Sequence, residues 1–141
     1  MELEIWQSIA ATPEANFDRW LDPKRPGGPW FGVAAAAVEP VVAGLYYLCV
    51  RHEGRDWAHY GRFVALDRGR RIEQTWMSET TQGRDTLLTL TFAPRGDETE
   101  VVLRHANLPE DEMGRRHKEG WAHLLTAMAK AFVKEARPKS D

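Results

Sequence analysis

Apolar and polar residues alternate with a period of two through most of this chain, and with a period near 3.6 over its last quarter. Leu3, Ile5 and Ile9 share one face of the segment Leu3 to Ile9, which predicts a strand. Thr12 then stands where a helix cap belongs, Pro13 suits the first helical position and Glu14 favours the positive end of the helix dipole. These residues predict a short helix from Pro13 to about Leu21, with Phe17 and Trp20 on its buried face. Asp22 to Pro29 contains three prolines and two glycines and reads as a loop. Ala34 to Ala37, flanked by Val33 and Val38 and stopped by Pro40, is assigned as a strand with Ala34 and Ala36 facing inward.

A run of strands and turns follows. Leu45 to Arg51, Trp57 to Leu66, Arg71 to Glu79, Thr86 to Phe92 and Thr99 to Ala106 are predicted as strands. The turns between them carry Glu53-Gly54, Arg68-Gly69, Gln82-Gly83 and Arg95-Gly96, so neighbouring strands should pair antiparallel. From Pro109 to about Ala136, the residues Met113, His117, Trp121, Leu124, Leu125, Met128 and Phe132 form one stripe of a long amphipathic helix. On its wet face Asp111 with Arg115 and Glu112 with Arg116 stand four residues apart in the favourable order. Arg137 to Asp141 is expected to be a frayed tail.

The helical stripe needs an apolar partner, and only the inner face of the sheet is large enough. The expected fold is therefore α+β: a curved antiparallel sheet closed around its terminal helix, as one domain over residues 1–141. A curved sheet that grips a single helix can leave a ligand-sized gap. With 19 basic and 21 acidic residues the formal charge is −2, which gives no electrostatic basis for binding nucleic acid or an anionic membrane. The single cysteine, Cys49, rules out an internal disulfide and reads as a small core residue. An acidic start and the lack of a long apolar run predict a cytoplasmic protein without membrane insertion.

Motifs spread along the chain resemble one family. Ala11-Thr12-Pro13-Glu14 with Phe17, Trp20 and Asp22-Pro23 is similar to the amino-terminal motif of the homologues of the heat shock protein 90 ATPase activator. Gly61-Arg62-Phe63, Leu66-Asp67, Arg71-Ile72 and Thr75-Trp76 resemble its central hairpin. Thr99-Glu100-Val101, Leu103-Arg104-His105, Leu108-Pro109, His117, Gly120-Trp121 and Leu125 resemble its carboxy-terminal signature. The resemblance implies the helix-grip fold of the START-like, Bet v 1-like (SRPBCC) superfamily. That fold has about seven strands, two short helices after the first strand and a long terminal helix around a hydrophobic cavity. Where many relatives carry paired glycines, this chain reads Val42-Ala43-Gly44-Leu45, so the bend there should differ.

Side-chain alternation supplies a candidate lining. Gln74 and Trp76 face inward with Ile72, Leu88 and Leu90 with Phe92, and Leu103 and His105 with Val101; Tyr46 joins them from its strand. His117, Trp121, Leu125 and Met128 come from the helix and Trp30 from the segment after the loop. His105 and His117 should meet at one end of the cavity, as a polar handle or as core histidines bonded to the backbone. The expected ligand is a small hydrophobic or amphipathic molecule, lipid-like or polyketide-like, bound without catalysis by a monomer or homodimer. Two alternatives are a cyclase- or hydrolase-like enzyme using His105 or His117 as base, and a module that regulates a chaperone ATPase. No catalytic set, cofactor or metal site is assigned: His52 and His59 flank a hairpin as loop histidines without a third ligand.

Overall fold

The computed structural model describes residues 1–136, so the predicted tail at Arg137 to Asp141 lies outside the described residues. Strands β1 (Leu3–Ile9), β2 (Ala35–Val38), β3 (Leu45–His52), β4 (Arg55–Asp67), β5 (Arg71–Ser78), β6 (Thr86–Arg95) and β7 (Glu98–Ala106) form one antiparallel sheet in the order β1-β7-β6-β5-β4-β3-β2. Helix α1 (Pro13–Leu21) follows β1, and α2 (Glu112–Ala136) follows β7. The sequence pattern and the structure agree on every strand and on both helices, with end shifts of a few residues. Among the described residues no helix is long and apolar enough to cross a membrane.

Helix α1 begins where its cap predicts: Thr12 Oγ1 accepts from the backbone N–H of Ala15 at 3.1 Å, and Pro13 opens the first turn. Phe17 packs edge-on against Phe92 of β6 at 6.0 Å, which seats the helix on the sheet. A second short helix after β1 is absent; bends and turns connect α1 to β2. Pro23, Pro26 and Pro29 recur every third residue, each without an N–H and with φ fixed, and so block continuous helical bonding there.

Ala34 and Ala36 are exposed, contrary to the expectation that they face the interior. β2 is a four-residue strand at the sheet edge opposite β1, whereas α2 packs against β1 and a 3-10 turn, Glu79–Thr81. The helix therefore leaves β2 uncovered. Before β3, Ala43 takes a left-handed φ of 67°, while a Cβ on Gly44 would collide with the Glu39 carbonyl oxygen. A tight turn thus stands at Val42-Ala43-Gly44-Leu45. Strand β4 is 13 residues long and its pairing with β5 shifts between Phe63 and Ala65. That bulge lets one strand change direction within the curved sheet.

Helix α2 starts at Glu112 because Asp111 caps it: Asp111 Oδ1 accepts from the Gly114 N–H at 2.7 Å. Asp111 is consequently not paired with Arg115, whereas Glu112 and Arg116 do pair at 2.7 Å. From α2, Trp121, Leu125, Met128 and Phe132 enter the core. They meet Tyr46 and Leu48 of β3, Ile72, Gln74 and Trp76 of β5, Leu88, Leu90 and Phe92 of β6, and Val101, Leu103 and His105 of β7, all buried. Burying each large apolar side chain contributes about 1.5–3 kcal/mol, so this layer is the main driving force for the grip.

Candidate functional site

Four tryptophans from four parts of the chain converge between sheet and helix. Trp76 of β5 meets Trp121 of α2 at 4.9 Å, Trp20 of α1 meets Trp30 at 5.1 Å, and Trp30 lies 6.1 Å from Trp76. Trp20 donates its indole N–H to Gln74 Oε1 at 2.9 Å, which accounts for a buried amide in the core. Gln74 is thus a structural partner of α1.

His105 is bonded on both nitrogens. An indole N–H only donates, so the 3.0 Å contact from Trp121 Nε1 fixes His105 Nδ1 as the acceptor. Nε2 then carries the proton and donates to Thr86 Oγ1 at 2.7 Å, and the Thr86 hydroxyl in turn donates a hydrogen bond to the Trp76 carbonyl. Burial, with help from nearby His117, pushes the His105 pKa down to about 3. The ring is neutral and its lone pair is occupied, so it has no free base to offer at neutral pH.

His117 lies beside it, with ring centres 5.2 Å apart. Its Nδ1 donates to the Met113 carbonyl at 2.8 Å, which leaves Nε2 as the acceptor opposite Thr80 Oγ1 at 3.3 Å. Burial lowers the His117 pKa, partly offset by the carbonyls of Met113 and Gly114 and by Asp111.

At this end of the sheet the grip is incomplete. A cavity of about 290 Å³ opens between β3, β4, β5, the 3-10 turn and the first half of α2. Trp30, Trp76, Trp121 and Leu124 form apolar wall, with Val50 and Met113 beside them; His59, Thr80, Arg116, His117 and Gly120 complete it. A Cβ added at Gly120 would meet nothing within 4 Å, so this glycine leaves open space on a helix face that is otherwise bulky. His59 stacks on Trp76 at 4.7 Å, and burial pushes its pKa down to about 4. Within this stacked pair His59 Nδ1 and Trp76 Nε1 are both buried without a hydrogen-bond partner. Two such atoms in one contact are unusual, since buried polar groups are normally paired.

The profile of the activator of Hsp90 ATPase homolog 1-like proteins matches residues 10–133. The chain belongs to that family. Among solved structures, this family member resembles protein CV1439 from Chromobacterium violaceum, with TM-score 0.79, 21% identity and coverage of 92% of this chain and 94% of that one. CalU16 from Micromonospora echinospora gives TM-score 0.71 at 22% identity over 95% of this chain and 77% of that one. The Aha1 dimer from Colwellia psychrerythraea gives 0.71 at 16% identity over 94% and 96%. These likenesses show the helix-grip fold. No curated protein has a significantly similar sequence.

On this activator-homologue scaffold, the residues selected from sequence separate into three groups. Trp30, Trp76, His117 and Trp121 line the cavity. Gln74, Leu88, Leu90, Leu103, His105 and Leu125 lie in the packed core, while Tyr46 and Met128 border separate hollows. The alternation that selected them reports burial, and most buried positions here are filled. Val50, His59, Thr80, Met113, Arg116, Gly120 and Leu124 complete the wall without having been selected. His59 is not a loop residue: it lies inside β4, as the predicted strand Trp57 to Leu66 itself required. A period of two counted back from buried Phe63 would have turned His59 inward. His52 ends β3 and is exposed. Among the described residues no group of three or more His, Cys, Asp or Glu side chains is placed to hold a metal ion.

Proposed function

We propose that this chain binds a small, predominantly apolar molecule without catalysing its conversion, in the cavity between β3–β5 and the first half of α2. The observation that carries the proposal is a hollow of about 290 Å³ walled by Trp30, Trp76 and Trp121. A ligand with an apolar body would cover these indole walls. Ligand pockets usually measure about 300–1,000 Å³, so the volume favours an occupant of one or two rings over a long acyl chain. Binding is preferred to acid–base chemistry at His105 because both nitrogens of that ring are engaged within the core.

The test is titration with a neutral fluorescent probe, N-phenyl-1-naphthylamine. Saturable binding with one site per chain is expected, weakened about tenfold or more in Gly120→Leu, whose side chain would occupy the hollow. A thermal midpoint in that variant no lower than that of the parent chain would locate the loss in the cavity. Absence of saturable binding by this probe, together with no thermal shift from a panel of neutral one- and two-ring compounds, would overturn the proposal.

A further inference from the structure

This inference rests on the cavity being a ligand site and concerns what kind of ligand it selects. The wall is one-sided in its chemistry. Its lining includes no aspartate or glutamate, and its ionisable members are Arg116, His59 and His117. Trp76 Nε1–H, buried and unpartnered, can only donate. Thr80 and His117 engage one another, and His117 Nδ1 is held by the Met113 carbonyl. Of the guanidinium of Arg116, one nitrogen bonds Glu112 Oε1 at 2.7 Å; a guanidinium has five N–H donors, so the rest of the fork remains available at the mouth. The side chain is 64% exposed there. Apart from the neutral imidazole of His59, with one donor and one acceptor nitrogen, the open hydrogen-bonding capacity around this aromatic hollow belongs to donors, above all the Arg116 fork.

We infer that the cavity selects a small planar acid, an aromatic ring system bearing a carboxylate or phenolate, with the rings among Trp30, Trp76 and Trp121 and the acidic group held by Arg116 at the mouth. The indole walls favour flat partners. A carboxylate entering an apolar cavity must keep a cationic or N–H partner, and Arg116 is the wall residue that supplies a planar, permanently charged one. An amine at the same place would meet the permanent positive charge of Arg116, with no carboxylate among the lining residues and the neighbouring Glu112 already bonded to that guanidinium.

Matched sets separate this inference from the one beneath it: benzoate, benzamide and benzylamine; 2-naphthoate, 2-naphthamide and 2-naphthylmethylamine; and the corresponding biphenyl compounds. Affinities are read at about pH 7 by tryptophan quenching and calorimetry. For the best-fitting ring the acid should bind about tenfold tighter than its amide and the amine weakest, since a charge-assisted bond is roughly twice as strong as a neutral one. Arg116→Gln, an exposed position, should bring acid and amide to within about threefold, with the larger loss on the acid. Amides binding as tightly as acids, amines binding tighter, or an acid preference that persists in Arg116→Gln would each overturn the inference and leave the neutral ligand site standing. Failure of every member of the sets and of the neutral probe would remove both.

Discussion

The indole N–H of Trp121 on α2 donates to Nδ1 of His105 on β7 at 3.0 Å, a direct polar tie between the gripped helix and the sheet that grips it. Both residues are buried, and Thr86 holds the opposite side of the imidazole. His105→Ala would strand the Trp121 indole donor, remove the donor to the Thr86 hydroxyl oxygen and leave a void, so a loss of about 3 kcal/mol or more is expected from urea unfolding. His105→Gln, which restores one acceptor and much of the volume, should recover part of that loss. If His105→Ala costs less than about 1 kcal/mol, the tie is not a structural anchor.

Gly120 provides a test with the opposite sign. It lies inside α2, is exposed, and has open space where a Cβ would be. Gly120→Ala should therefore stabilise the fold by about 1 kcal/mol through helix propensity, read as a higher thermal midpoint. The same methyl projects towards the cavity, so affinity for a tightly fitting ligand should fall even as stability rises.

Stability should decline on mild acidification. Burial lowers His59 to about 4 and His105 to about 3, from an ordinary 6.5, and lowers His117 as well. As pH falls below 6.5 the unfolded chain takes up protons that the folded chain refuses, so the contribution of these rings is complete above that pH and is lost progressively towards 4 and 3. Each such proton contributes a slope of up to about 1.4 kcal/mol per pH unit. Urea midpoints measured between about pH 7 and pH 5 should fall, and His59→Phe, which keeps a ring against Trp76, should remove roughly one proton from the slope. A midpoint flat over that interval would refute the assignment of these rings as neutral and buried.

Arg19 of α1 is 4% exposed, donates to Glu135 near the end of α2 at 2.7 Å, and stacks over Phe132 at 3.9 Å. Glu135→Gln should cost about 1–2 kcal/mol by leaving a buried cation without its partner, less than for a fully buried pair because Glu135 is 42% exposed. Adding Arg19→Met should restore much of that loss, as measured by chemical denaturation of the single and double variants. A double variant no more stable than Glu135→Gln alone would show that the arginine contributes through its stacking instead.

Where local chemistry and global packing agree, the structure was readable from the residues. Thr12-Pro13 starts α1 because a cap and a proline act within one turn, and the strands of the meander are bounded by turns of their own. Three misreadings have one common cause, which is that period two tells which residues share a face and not what covers that face. Ala34, just before β2, and Ala36 on it share the predicted spacing, yet both are exposed because α2 packs at the opposite edge of the sheet. Leu88 and Leu90 point inward, but into a filled core. The incomplete end depends on where α2 crosses the sheet, a distance no alternation pattern contains. Gly120 was the local sign of it, a residue with no side chain in the middle of a bulky stripe.

The pairing of β1 with β7 joins Leu3 to His105, whereas every other pair of neighbouring strands joins segments that follow one another in the chain. A polypeptide leaving the ribosome therefore releases β1 long before its hydrogen-bonding neighbour exists. The meander from β2 onward can zip by successive short hairpins, but β1 must wait until residues near 105 have emerged. The docking of β1 thus completes one edge of the sheet last, and during that wait the strand is open to unwanted partners.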